Sequence, residues 1–144
     1  MRQAQAGAKV KVGVIGDEAA SQEAGGSLTV ADVASFHEFG LGVPERSFIR
    51  AYVDENDGPI RVRLRDIANR VLTRNQSPRS GLEILGLLTV GEIQQRMAAG
   101  LQPDLSDAYV KRLNKPDKTA RLIRTGQLRS SITHAVEPGG PGGA

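Results

Sequence analysis

Apolar and polar positions alternate without a break over residues 8–15: Val10, Val12 and Val14 fall on one side, Lys9, Lys11 and Gly13 on the other. A period of two over that length predicts a half-buried strand. The same period returns over residues 130–137, where Ile132, His134 and Val136 alternate with Ser131, Thr133 and Ala135, and predicts a closing strand. Between these two stretches the spacing is mostly helical. Val30, Val33, Ala34 and His37 share one face, Thr29 and Asp32 form a capping-box pair ahead of them, and Gly40 stands where a C-terminal glycine cap belongs. His37 and Glu38 are thereby placed on the last turn of a short helix.

Residues 47–53 fit either a strand or a first helical turn. From residue 55 to 74 a helix is the better reading, with Ile60, Leu64, Ile67, Ala68 and Val71 as its apolar stripe and Gly58-Pro59 marking its true start. Arg61, Arg63, Arg65, Arg70 and Arg74 lie mostly off that stripe. A greasier helix is predicted over residues 81–99. Its Leu and Ile positions cover most of the circumference, so it is expected to be the central buried helix, with Gly86 and Gly91 admitting another backbone and Gly100 ending it. A short helix capped by Ser106 and anchored by Tyr109 and Leu113 follows, and Thr125 is expected to cap one turn through Leu128. Residues 16–27 read as a loop with Gly25-Gly26 as its clearest break, and residues 138–144 (PGGPGGA) as a flexible tail. Strands at both ends with helices between them predict one α+β domain over residues 1–137. Its small, mostly antiparallel sheet packs against two longer helices and several short ones.

One stretch departs from this plain aliphatic background. Residues 36–50 (FHEFGLGVPERSFIR) hold two of the three phenylalanines of residues 36–48 before Gly40, then two glycines, a proline and the third phenylalanine. Gly40 and Gly42 permit backbone angles that other residues avoid, and Pro44 fixes its own φ, so a tight connection belongs here. A new element is expected to begin near Ser47.

Composition narrows the function classes. Aromatic residues are 3% of the 144, so the core is aliphatic. There is no cysteine, which removes disulfides, thiolate metal sites and cysteine nucleophiles together. No run approaches a membrane span and residues 1–10 lack a signal-peptide core, so synthesis and use in a cytoplasm are expected. The net charge of +3 conceals an asymmetry: residues 1–60 carry five Lys and Arg against nine Asp and Glu, net −4, whereas residues 61–144 carry fourteen against seven, net +7. Such a split fits a nucleic-acid face, self-association between unlike surfaces, or two independently solvated faces.

Chemistry is sparse. His37-Glu38 is the one adjacent acid–base pair, but helix neighbours point about 100° apart, and no histidine lies at the spacing of a HExxH zinc site. His134 is far off in sequence and alone. The preferred reading of His37 and Glu38 is packing or a helix-end hydrogen bond. There is no Walker or GxGxxG phosphate loop, and Ser130-Ser131 lies in no nucleophile elbow. The arginines of residues 61–74 suit phosphate contacts, but few aromatics exist to stack on bases. No metal, cofactor or catalytic residue is assigned.

Two segments resemble a known family. His37-Glu38-Phe39-Gly40 followed by Val43-Pro44-Glu45-Arg46-Ser47-Phe48-Ile49-Arg50 is similar to the "HEFG … IPARPFLR" signature of neck and tail-completion proteins of long-tailed double-stranded DNA phages and prophages. Residues 122–132 (LIRTGQLRSSI) resemble their "PLIDTGQLRNSI". The resemblance spans about residues 30–137 in the expected order. Ser47 stands in place of the usual proline, Arg124 in place of an aspartate, and Ala120-Arg121 where a proline is common. Members of this family, some called virion morphogenesis or minor tail proteins, have no established enzyme activity. The resemblance implies a head-tail connector: a homo-oligomeric ring at the head-to-tail junction of the virion, made in the host bacterial cytoplasm. Six copies are expected, with twelve the alternative. Implied partners are other neck and tail proteins, with non-specific contact to passing duplex DNA and none to membrane. It also implies that His37, Glu38, Phe39, Gly40, Pro44, Arg46, Phe48, Arg50, Thr125, Gly126, Gln127 and Leu128 serve the fold or a subunit interface. Arg61, Arg63, Arg65, Arg70 and Arg74 are candidates to face DNA or a neighbour. The rival readings are a small basic DNA-binding accessory protein using the arginine helix and, more weakly, a small hydrolase built on His37 and Glu38.

Overall fold

The two alternating stretches pair with each other. In a computed structural model that describes residues 7–22, 27–100 and 126–139, strand β1 (Ala8–Val14) runs antiparallel to the closing strand (Ile132–Pro138). The register sets Val10 against Val136, Val12 against His134 and Val14 against Ile132, so the apolar sets of both strands share one face. The first helix, α1 (Asp17–Ala20), is a single turn inside the stretch expected to be loop, and Gly25-Gly26 lie outside the described residues. Helix α2 (Val30–Phe39) starts and stops as its sequence dictates. The Thr29 hydroxyl accepts from the Asp32 amide at 3.1 Å, the Asp32 carboxylate accepts from the Thr29 amide at 2.9 Å, and Gly40 closes the helix at φ 68°.

A β-carbon at Gly40 would sit 3.1 Å from the Glu45 Cβ and 3.3 Å from its amide nitrogen, in a left-handed conformation. Gly40→Val is therefore expected to cost about 1–2 kcal/mol from the strain, read as a lower midpoint in urea unfolding. A fully stable variant would refute this turn.

Helix α3 (Arg50–Arg74) begins a full eight residues before Gly58 and runs through Pro59. Gly58-Pro59 is therefore not its start, although the backbone does break nearby. Asn56 leaves helical geometry (φ −115°, ψ 16°) and its side-chain amide donates to the Tyr52 carbonyl at 2.8 Å. Pro59 thus sits in the first turn after a kink, where its missing N–H costs least. The inward row of α3 is Tyr52, Asn56, Ile60, Arg63, Ile67 and Val71, so Leu64 and Ala68 are exposed and Arg63 lies within the row rather than off it.

Helix α4 (Pro78–Ala99) is the central element, covering the sheet and packing along α3. It begins at Pro78, and its buried row is Leu82, Leu85, Thr89, Ile93 and Met97 together with Gly81 and Gly86. It is not buried all round, because Ile84, Leu87 and Leu88 face solvent. Gly86 admits a side chain rather than a backbone: a β-carbon there would lie 2.4 Å from the His134 ring, whereas one at Gly91 would meet open space. His134 is consequently not alone, and its Nε2 lies 2.9 Å from the Glu83 carboxylate.

The single turn α5 (Gln127–Ser130) leads into β2 (Ile132–Pro138). Gly126 occupies its N-cap position at φ 71°; Thr125, proposed as its cap, falls outside the described residues, as do the Ser106 helix with Tyr109 and Leu113. Pro138 belongs to β2 and the Gly139 amide donates to the Gly7 carbonyl, so the boundary of the expected tail moves beyond Gly139. Val30, Phe48, Tyr52, Ile93, Met97, Leu128 and Ile132 form one buried cluster drawn from five elements. The α+β architecture, a two-stranded antiparallel sheet against long helices, is as the sequence predicts.

Candidate functional site

The unusual stretch at 36–50 forms the corner between α2 and α3, and its centre is Glu38. Two helical turns carry the buried row of α2 from Val30 through Ala34 to Glu38, so a carboxylate enters the interior on an otherwise apolar face. Gly40 and Gly42, both at positive φ, reverse the chain, and the returning segment is tied back by the Arg46 amide donating to the His37 carbonyl at 2.8 Å. That turn aims the first amides of α3 at Glu38. One carboxylate oxygen accepts from the Ser47 hydroxyl at 2.7 Å and the Arg50 amide at 2.8 Å. The other accepts from the amides of Phe48 at 2.9 Å and Ile49 at 3.1 Å.

These are amides that no helical carbonyl can satisfy, and the helix start favours a negative charge. Burial alone would raise the Glu38 pKa, but the hydrogen bonds from Arg50, Phe48, Ser47 and Ile49 outweigh it and hold the carboxyl below its ordinary range. Ser47 closes the arrangement by also accepting from the Ala51 amide at 3.0 Å. Ser47 therefore supplies both a donor to Glu38 and a cap for α3.

The neighbours serve the same corner. Phe48 is fully buried in the core cluster, and Arg46 is 5% exposed. Arg50 pairs with Glu45, reaches the Glu38 carbonyl at 3.5 Å and lies 5.8 Å from the centre of the exposed Phe39 ring. Pro44 is exposed on the turn. His37 is partly buried, and its Nδ1 has no hydrogen-bond partner among the described residues. Burial, followed by the positive charge of Arg46, lowers its pKa to about 4.

Because His37 ionises more readily in the unfolded chain, stability tied to it is present above the ordinary value of 6.5 and is lost as pH falls towards about 4. With its partial solvent access, the loss is expected to be roughly 1–2 kcal/mol, measured as the fall in urea-unfolding free energy across that range. His37→Gln is expected to remove this component and to keep the fold.

The stretch at residues 126–132 enters the same core. Leu128 joins Phe48 and Val30 in the core cluster, and the Gln127 side-chain amide donates to the Gln22 carbonyl at 2.8 Å. His37, Glu38, Phe39, Gly40, Pro44, Arg46, Phe48 and Arg50 thus form the corner, and only Phe48 shares the buried cluster with Leu128, while Gln127 reaches the other end of α2, where Gln22 bridges to Thr29.

The arginines of α3 are not a uniform face. Arg61 pairs with Asp57 at 2.8 Å. Arg63 grips Glu92 of α4 through both nitrogens at 2.7 and 3.0 Å, with the Tyr52 hydroxyl on the same carboxylate, and Arg96 pairs with Glu55 to form a second link between α3 and α4. This lacing escaped the sequence reading, although a glutamate on one apolar helix and an arginine at a row position of the other are its signal. Arg65, Arg70 and Arg74 are exposed and make no ion pair among the described residues.

Among the described residues no group of three or more His, Asp or Glu is placed to hold a metal ion, and no helix is long and apolar enough to cross a membrane. No protein-family model matches the chain, and neither does any curated protein or any solved structure.

Proposed function

We propose that this chain is a structural virion protein of the head-to-tail junction of a long-tailed double-stranded DNA phage or prophage. It works as a ring that helps join tail to head and encloses the DNA channel, with six copies expected and twelve the alternative. The observation that carries this reading is the entry of both signature segments into one buried core. Phe48, whose amide donates to Glu38 in the first segment, shares one buried core cluster with Leu128 and Ile132 of the second, about 80 residues on. The residues shared with neck and tail-completion proteins are spent on shaping a rigid joint. A carboxylate already engaged by four donors suits a cap rather than a general base. The role requires no catalysis, metal or cofactor.

The test is genetic and morphological. Removing the gene from its phage is expected to leave filled heads and finished tails unjoined, with joining restored when the protein is supplied in trans. Normally joined particles lacking the protein, by electron microscopy and mass spectrometry, would overturn the reading. A second reading, a basic accessory protein that contacts DNA, is favoured by Arg65, Arg70 and Arg74, which are exposed and make no ion pair among the described residues. It requires a monomer that binds duplex DNA with a steep salt dependence, and that binding should drop when these three arginines become alanine.

A further inference from the structure

The molecule has two unlike ends. The core cluster packs against the second half of α4 through Ile93 and Met97, beside Ile132 at the Val14 end of the sheet. Away from it, the second half of α3 and the first half of α4 extend as a helical hairpin joined at residues 75–77, and α3 buries only Tyr52, in its first half. Scattered exposed aliphatics are normal on a monomer, but here they form a strip. Ile84, Leu87 and Leu88 lie at i, i+3 and i+4 on α4, with Leu87 63% exposed, and Leu72 near the hairpin tip is 83% exposed. The free cations Arg70 and Arg74 stand at the same tip.

The opposite end carries the reverse charge. Asp17 and Glu18 on α1, past the Val14 end of β1, are exposed and unpaired among the described residues, and so is Asp54 in the first half of α3. Leu28, 43% exposed, lies beside α1, where Thr29 bridges to Gln22. Acids already paired, such as Glu92 and Glu137, are not part of this end's free charge.

From this complementarity we infer that the α3–α4 hairpin tip of one copy docks on the acidic α1 end of the next, in a head-to-tail contact between copies of this chain. Such a contact uses two different patches of each subunit, so it repeats, and it closes into a ring only for the right rotation. This deepens the ring reading above and takes its biological sense from it. An individual exposed ion pair contributes little, but several opposed charges per contact add to the attraction of the aliphatic strip and also give the contact its direction and rate.

Sedimentation velocity of the full chain at low salt tests it, with circular dichroism as the folding control. Wild-type protein is expected to associate with increasing concentration, and at about 1 M salt, where the Debye length is about 3 Å, to associate at least tenfold more weakly. Arg70→Glu with Arg74→Glu should each place like charges across the contact, as should Asp17→Lys with Glu18→Lys in a separate protein. Both double variants should remain folded and weaken association at least tenfold. Their equimolar mixture should associate again, because each tip then faces an opposite charge on the other protein. Wild-type association that neither double variant changes, or a mixture no better than its components, overturns this surface and leaves the ring reading to the particle test. A wild type that stays monomeric at every concentration and salt overturns the inference as well, again without deciding where the protein sits in a virion.

Discussion

Glu38→Ala is expected to lower the unfolding free energy by about 3 kcal/mol, the largest effect of any single polar substitution in the described chain. The mutation leaves the amides of Phe48, Ile49 and Arg50, at the entry to α3, and the Ser47 hydroxyl without their acceptor. Loss of an ordinary helix cap costs about 0.5–2 kcal/mol, and a buried donor left unsatisfied about 1–3 kcal/mol. The Phe48 amide cannot turn to water, because its residue is fully buried, whereas the Arg50 amide lies nearer the surface and regains part of its loss. Glu38→Gln separates acceptor chemistry from shape. It keeps the size but turns an NH2 group towards two donors, so it should cost about 2 kcal/mol rather than nothing. Denaturant unfolding of both variants measures this, and a Gln variant as stable as wild type would show that charge and acceptor count at Glu38 are unimportant. Acid should mimic the mutation: with its pKa held below the ordinary carboxyl value, Glu38 stabilises the fold above that value and loses the contribution as pH falls through its folded pKa.

Two glycines of α4 are expected to respond to alanine with opposite signs. Within a helix, Gly→Ala ordinarily stabilises by about 1 kcal/mol. Gly91→Ala should follow that rule, since its β-carbon would meet open space. At Gly86 the new carbon would lie 2.4 Å from His134 Cδ2, 2.6 Å from Cγ and 3.0 Å from its Cβ. The obstacle is the root of the side chain, fixed by the β2 backbone opposite Val12 and by the Glu83 hydrogen bond, so it cannot simply swing aside. Overpacking of this kind costs about 1–3 kcal/mol and should exceed the helix-propensity gain, giving a net loss of about 2 kcal/mol. The pair is best read as opposite shifts of the thermal midpoint. Stabilisation at both positions would mean that α4 and β2 are not in close contact there.

The features that were legible beforehand are those whose physical cause is local. The alternation of Val10, Val12 and Val14 needs only period two, and the Thr29–Asp32 box with Gly40 needs only the helix it bounds. Glu38 reads as a helix-end hydrogen bonder from its position, but which helix end it serves depends on the reversal through Gly40 and Gly42. Its partners belong to the next helix. The stripe of α3 failed for a related reason. A stripe assigned from apolar residues alone takes in Leu64 and Ala68, whereas the half-buried row runs through Ile60, Arg63, Ile67 and Val71, where one position is polar. An arginine is invisible as an interior residue until its partner Glu92 is placed opposite it. His134 likewise looked solitary because Glu83 reaches it across a strand–helix contact that no sequence spacing encodes.

The pairing of β1 with β2 also dictates the order in which this fold can be completed. The Lys11–Glu137 hydrogen bond joins positions 126 residues apart, so the sheet cannot close until translation has passed almost the whole of this sequence. Closing so long a loop carries an entropic cost of roughly 4 kcal/mol by chain statistics, offset by the pairing of the strands, by the face of α4 against the sheet and by Ile132 joining the core cluster. The α3–α4 hairpin, whose contacts are nearer in sequence, has no such delay and can stand as a template on which the two strands zip last. A nascent chain stalled before Ile132 would then hold the hairpin while leaving Gly86 without the His134 side chain that covers it and Ile93 and Met97 without Ile132, the state in which a chaperone would find it.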